Sequence, residues 1–292
     1  MTAPPRTIEH VVVVMFDRRS NDEGTAPSGL PITAYLAKQF LVCDRWAAPR
    51  SALIASKYLA AHCGRDGGDL EANVFGALDL QRGREARAAN WKVYFHDYSI
   101  LGDALPYVSR CYADPDNVNV ANYDECDYPP GARNPLAHPT TTFLQDAAQG
   151  TLPAYAFVEP RHGRLAAPVA IVRDADLDIV PALDADPFDG ERLVAEVYLA
   201  LRSPRYWERS VLIVVGPSLP AIVVSAYAPP ASRFDAGTAF APAMIARTLA
   251  DCFGFPWTSG AAVPSVLDYL GPDVVNDGAC RAELETNALA LR

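Results

Sequence analysis

Short stretches of this chain gather side chains able to move protons or hold an anion. They are Asp17-Arg18-Arg19-Ser20-Asn21-Asp22, Arg50-Ser51, Lys57-Tyr58, His96-Asp97 and Glu159-Pro160-Arg161-His162. Carboxylates and imidazoles serve as general acids and bases, and a lysine beside a tyrosine on a helix can relay a proton. Guanidinium groups offer planar pairs of donors to carboxylates and phosphates. Arg18, Arg19, Arg50 and Lys57 could neutralise charge developing on an anionic substrate, yet nothing in the sequence supplies a nucleophile with its base as well. The six cysteines (Cys43, Cys63, Cys111, Cys126, Cys252, Cys280) show no CxxC spacing, which argues for reduced, mostly buried thiols rather than a zinc site. Cys111 and Cys126 bracket a Tyr/Asp/Asn-rich loop and could be bridged.

These stretches are set among elements whose patterns are readable. Residues 11–16 form a continuous apolar, β-branched run ending at the polar loop 17–24, as expected of a strand buried on both faces with its carboxyl end facing a site. A helix over 31–40 starts with proline in its first turn and keeps Ile32, Tyr35, Leu36 and Phe40 on one side. Strands are predicted at 41–46, 91–96, 154–159, 211–215 and 221–225. A small-residue helix covers about 52–62 and stops at Cys63-Gly64. The strongest helical periodicity runs over 189–202, with Asp189 as its N-cap, and a last amphipathic helix spans about 242–253. Residues 103–140, rich in Pro, Asp, Asn and Tyr, read as a long irregular excursion. Alternation of apolar strands with helices predicts an α/β fold, a mainly parallel central sheet flanked by helices on both faces, with function at the carboxyl ends of its strands.

With 292 residues, 50% hydrophobic and 21% charged, the chain reads as one domain over 1–292 with a sizeable core. A net charge of −10 offers no footprint for nucleic acid, and no Lys/Arg run suggests an anionic membrane surface. No stretch approaches the roughly 20 apolar residues needed to span a bilayer, and the amino-terminal run is too short and strand-like for a secretory leader. A soluble cytoplasmic protein is the resulting expectation.

Several stretches resemble the bacterial phosphoesterase family, which includes phospholipases C, within the alkaline-phosphatase-like α/β fold. They are Ile8-Glu9-His10-Val11-Val12-Val13-Val14-Met15, Phe40-Leu41-Val42-Cys43-Asp44-Arg45-Trp46, Trp91-Lys92-Val93-Tyr94-Phe95-His96-Asp97 and Gly150-Thr151-Leu152-Pro153-Ala154-Tyr155-Ala156-Phe157-Val158-Glu159-Pro160-Arg161. Gly190-Glu191-Arg192-Leu193-Val194-Ala195-Glu196-Val197-Tyr198 and Pro220-Ala221-Ile222-Val223-Val224-Ser225 follow in family order.

The resemblance fails where the family does its chemistry. The family's Glu-Asn-Arg-Ser-Phe-Asp is here Asp17-Arg18-Arg19-Ser20-Asn21-Asp22, so a permanent cation at Arg18 replaces a neutral metal ligand. The nucleophile position falls on Ile54, and neither Ser51 nor Ser56 matches it. The histidine of the Asp-Asp-His-Pro-Pro motif falls on Ala182, and no histidine follows His162. The Asp-Glu-His-Gly-Gly block is missing after residues 211–215, where Gly216-Pro217-Ser218 leads straight into the next strand. The Phe-Asp-His-Thr motif has become Phe234-Asp235-Ala236-Gly237 or Phe240-Ala241-Pro242. The resemblance thus implies a kept sheet without the family's metal centre, and neither metal nor other cofactor is expected.

In the architecture the resemblance implies, the loops at one end of the sheet converge. Asp17, Lys57, Tyr58 and His162 become the candidate acid-base groups. Arg18, Arg19, Arg50, Ser51, His96, Glu159 and Arg161 are the candidate substrate-binding groups. Structural readings stand beside these: Arg18 and Arg19 with Asp17, Asp22 and Glu23 as an ion-pair cluster filling a vacated pocket, and His96 and Glu159 as scaffold. His10 and His62 read as satisfied core histidines. The expected function is a metal-independent lyase, cyclase or isomerase acting on a small organic substrate in specialised metabolism. The alternatives are a pseudoenzyme that binds a ligand or partner protein, and a residual ester hydrolase. The oligomeric state is left open.

Overall fold

Four consecutive valines, Val11, Val12, Val13 and Val14, form the middle of the first strand, and each is completely buried. Successive side chains of a strand point to opposite faces, so such a run needs cover on both sides. The computed structural model describes residues 7–15, 31–43, 54–63, 73–82, 90–96, 99–114, 116–122, 141–160, 187–216, 219–234, 243–256 and 263–273. These residues form an eight-stranded sheet in the order β4-β3-β5-β1-β6-β7-β2-β8. Its strands are β1 (His10–Met15), β2 (Leu41–Cys43), β3 (Trp91–Phe95), β4 (Val120–Asn122), β5 (Tyr155–Val158), β6 (Ser210–Gly216), β7 (Leu219–Val224) and β8 (Arg233–Phe234). β1 lies between β5 and β6 and is parallel to both. The one antiparallel member is β7, which pairs with β6 and β2. The expected α/β, mainly parallel sheet is therefore observed.

The helices are α1 (Pro31–Gln39), α2 (Ile54–Cys63), α3 (Val74–Arg82), α4 (Ile100–Ala104), α5 (Pro106–Ala113), α6 (Phe143–Gln149), α7 (Pro187–Leu201) and α8 (Ala243–Phe253). They sort into two packing groups. α7 packs against α1 and α6, while α2 packs against α3, α4 and α8. Alternation along β3 shows the two faces directly. Lys92 and Tyr94 reach Asp146 of α6, whereas Trp91 on the opposite face stacks near Phe75 of α3 with ring centroids 4.6 Å apart.

Several sequence readings change. The expected irregular excursion at 103–140 includes the end of α4 and all of α5 and β4. Ser99 starts α4 by accepting the Gly102 amide at 2.9 Å, and Pro106 starts α5 in the first turn. α7 begins at Pro187, so Asp189 lies inside the helix rather than capping it. α3 and α6 were not read at all. α6 carries a capping box in which the Thr142 hydroxyl accepts the Gln145 amide and the Thr142 amide donates to Gln145 Oε1. Its C-cap, Gly150, has φ +81°, and a Cβ there would meet Arg205 Nη1 at 1.5 Å. Cys111 is not in a disulfide, and neither are Cys43, Cys63 and Cys252, while Cys126 lies outside the described residues. No helix of the described residues is long and apolar enough to cross a membrane.

Candidate functional site

The parallel strands β3, β5, β1 and β6 end at Phe95, Val158, Met15 and Gly216. In a sheet of this kind, ligands bind beyond those carboxyl ends. Asp17, Arg18, Arg19, Arg50, Ser51, Arg161 and His162 lie outside the described residues, as do Asp22, Asp97 and Ala182. Lys57 lies on α2, but its side chain, like that of Ile54, is outside the description. The structure therefore places three of the candidates in detail: Tyr58, His96 and Glu159.

Tyr58 is fully buried. Its hydroxyl donates to the Met15 carbonyl at 3.2 Å, and its ring meets Phe157 edge-on with centroids 5.6 Å apart. The phenol thereby ties α2 to the last residue of β1, at the point where the chain leaves the sheet toward Asp17. His96 follows β3 directly and is nearly buried. Glu159, also fully buried, follows β5, and its amide donates to the Tyr94 carbonyl at 2.9 Å. Its carboxylate accepts the Ser99 hydroxyl and, at 3.2 Å, the Leu101 amide. A carboxylate so held occupies the positive start of α4, where backbone N–H groups lack partners within the helix. Two of the three described candidates thus serve the rim of the sheet through internal hydrogen bonds.

A further buried acid at this end escaped sequence reasoning. Glu191, in the first turns of α7, is fully buried and accepts the Ile32 amide at 2.6 Å, the Thr33 amide at 3.1 Å and the Thr33 hydroxyl at 2.6 Å. Burial pushes its carboxyl above the usual range, and the hydrogen bonds from Thr33 and Ile32 oppose that shift. A signal existed in the sequence: α1 starts with proline and has no acid in its first turn, and the preceding Leu30 has no side-chain acceptor. What it could not name was the residue that would compensate.

The polar groups of the opposite, amino end are arranged differently. Asp146 accepts Lys92 Nζ at 2.8 Å, the Tyr94 hydroxyl at 2.6 Å, the Thr151 hydroxyl at 3.1 Å and the Thr141 hydroxyl. His62 on α2 bonds through Nδ1 to the Tyr58 carbonyl and accepts the Tyr155 hydroxyl at Nε2, both at 2.7 Å, and it stacks on Phe75. Desolvation lowers its pKa to about 4, so the ring is neutral near pH 7. The expected satisfied core histidine is found there. His10, partly buried, reaches the Pro153 carbonyl at 2.9 Å, and burial lowers its pKa as well.

The metal centre implied by the sequence resemblance can be tested at the end of β6. Register places Gly216 opposite Leu219, so β6 and β7 form a hairpin whose connection is residues 217–218. Such a connection has no room for an acidic and histidine ligand block, and Pro217 and Ser218 bring neither a carboxylate nor an imidazole. Among the described residues no group of three or more His, Cys, Asp or Glu side chains could hold a metal ion. The described residues at the end of β6 do not supply that ligand block.

A mainly parallel α/β sheet with its buried polar rim at the strand ends defines the class of scaffold. Residues 23–216 match the model of the Phosphoesterase family, and the chain belongs to that family. Among curated proteins it is similar to Non-specific phospholipase C5 of Arabidopsis thaliana, 26% identical over 195 residues that make up 65% of this chain and 32% of the relative. Non-specific phospholipase C6 of the same plant is 26% identical over 66% of this chain and 33% of its own length. The chain thus spans about a third of the length of these curated relatives. Among solved structures, the phosphonate monoester hydrolase SpPMH from Silicibacter pomeroyi aligns over 93% of this chain and 78% of its own, with a TM-score of 0.47 and 14% identity.

Proposed function

We propose that this phosphoesterase-family chain has lost metal-dependent phosphate-ester hydrolysis and acts, without a metal, on a small organic substrate by acid-base chemistry of a lyase, cyclase or isomerase kind. The observation that carries the loss is the β6–β7 hairpin, which closes through residues 217–218 where the family places a ligand block. Arg18, Ile54 and Ala182 at the other motif positions agree with it. Replacement of ligands by titratable or charged groups at Asp17, Arg18 and Lys57 supports a retained chemical use of the cleft, with His162 as the further acid-base group. Arg19, Arg50, Ser51, His96 and Arg161 are the proposed binding groups. Localisation in the cytoplasm and a place in specialised metabolism belong to the same reading.

One structural observation favours a second reading, a non-catalytic protein that binds a ligand or partner protein. Tyr58 and Glu159, two groups eligible for chemistry, are fully buried and hydrogen-bonded to the scaffold. The same purified protein tests both readings. Generic phosphate esters with added Mg2+, Mn2+, Ca2+ or Zn2+ should give no turnover, and metal analysis should find no stoichiometric ion. Metal-dependent hydrolysis would overturn the proposal. A small-molecule library is then followed by thermal shift and by mass spectrometry of products. Conversion lost in Arg18→Ala, Lys57→Ala or His162→Ala supports the enzyme, whereas binding without conversion supports the second reading. Conversion unchanged in all three variants would show the site to be misassigned.

A further inference from the structure

We propose that Glu191 is a positioning residue that fastens the starts of α1 and α7 to each other, so that both helices leave the carboxyl end of the sheet as one unit. α1 cannot cap itself, because Pro31 brings no N–H, Leu30 offers no acceptor in its side chain and the first turn has no acid. The first amides in need of acceptors are those of Ile32 and Thr33, and one carboxylate 159 residues away accepts the first at 2.6 Å and the second at 3.1 Å. The Thr33 hydroxyl adds a third donor at 2.6 Å. Glu191 itself is in the opening turns of α7, and α1 and α7 pack directly on each other.

A capping residue from the helix's own chain neighbourhood would steady α1 alone. A cap supplied from α7 makes the two helix starts depend on one another. α1 follows the segment bearing Asp17, Arg18 and Arg19, and α7 follows the segment bearing Arg161 and His162. The consequence for the cleft rests on the function proposed above, but the fastening itself does not.

Burial raises the Glu191 carboxyl, and the bonds it accepts from the Thr33 hydroxyl and from the Thr33 and Ile32 amides oppose that rise.

Hydrogen exchange on the full chain, read by mass spectrometry, tests the fastening. Glu191→Ala should lower protection roughly ten- to a hundredfold at the starts of both α1 and α7, with β1 and β6 unchanged. Adding Leu30→Asp to that variant supplies a local cap and should restore α1 but not α7. Loss confined to α1, or restoration of both helices by Leu30→Asp, would overturn the proposal. If Glu191→Ala does not fold, Thr33→Val should show the same paired loss at smaller amplitude, and an effect at α1 alone again counts against it. The conservative variant gives a readout that mere packing would not move. Glu191→Gln keeps an acceptor oxygen at the same place and should restore part of the protection that Glu191→Ala loses at both helix starts, and no restoration at either would refute the role.

Discussion

The two ends of the sheet handle buried charge by different means. At the amino end, Asp146 is neutralised by a full cation, Lys92, and surrounded by the hydroxyls of Tyr94, Thr141 and Thr151. At the carboxyl end, the described partners of Glu159 and Glu191 are hydroxyls and the first amides of α4 and α1. Right-handed βαβ connections aim helix starts at the carboxyl ends of parallel strands, so the helix starts themselves bring partial positive charge there. In this phosphoesterase-family scaffold the starts of α4 and α1 are thus filled by its own carboxylates. That contrast separates residues that maintain the rim from residues available to a substrate.

The contrast is most easily broken at Asp146. Asp146→Ala leaves the Lys92 ammonium buried without its carboxylate and should cost about 3–5 kcal/mol in urea unfolding. Pairing it with Lys92→Met should recover most of that loss, because no charge then remains buried. The His62 cluster gives the next largest effect. Burial depresses the folded pKa to about 4, well below the ordinary histidine range, so as pH falls below about 6.5 the unfolded chain takes up a proton that the folded chain refuses. Stability should therefore decline between those values by about 3 kcal/mol in all, and His62→Phe should remove this part of the slope. Unfolding free energies measured from pH 8 to pH 4 check it.

The carboxyl end should respond less. Glu159→Ala strands the Ser99 hydroxyl and the Leu101 amide and should cost about 1–3 kcal/mol, with exchange rising first in α4. Tyr58→Phe is the smallest and the most discriminating change. It removes the hydroxyl that bonds the Met15 carbonyl, keeps the ring, and should cost about 1 kcal/mol. If any conversion found for the natural chain survives in Tyr58→Phe, the phenol serves the rim; if conversion disappears while the fold persists, it belongs to the chemistry.

Much of the scaffold was legible because burial and period leave marks on a local stretch of chain. The valine run of β1, the proline start of α1 and the periodicity of α7 each report a nearby physical constraint. The readings that failed were those competing with composition. Pro, Asp and Asn between 103 and 140 resembled loop, yet Pro106 starts a helix there, and α7 starts at a proline two residues upstream of Asp189, the residue read as its cap. For the site, the sequence identified Tyr58 and Glu159 as polar groups near strand ends. It could not distinguish a carboxylate that lines a cleft from one that caps a helix, since both stand at the same place in the chain.

By itself, then, the sequence determined six of the eight described strands, four of the eight described helices and the sheet's mainly parallel character, because each depends on residue type and local spacing. Tertiary structure decided the partners. β7 turns antiparallel because residues 217–218 allow only a hairpin, and Glu191 meets Ile32 across 159 residues because α1 and α7 share one face of the sheet. Hydrogen-bond partners are set by distances in the folded chain, and strand order alone brings residues so far apart within 3 Å.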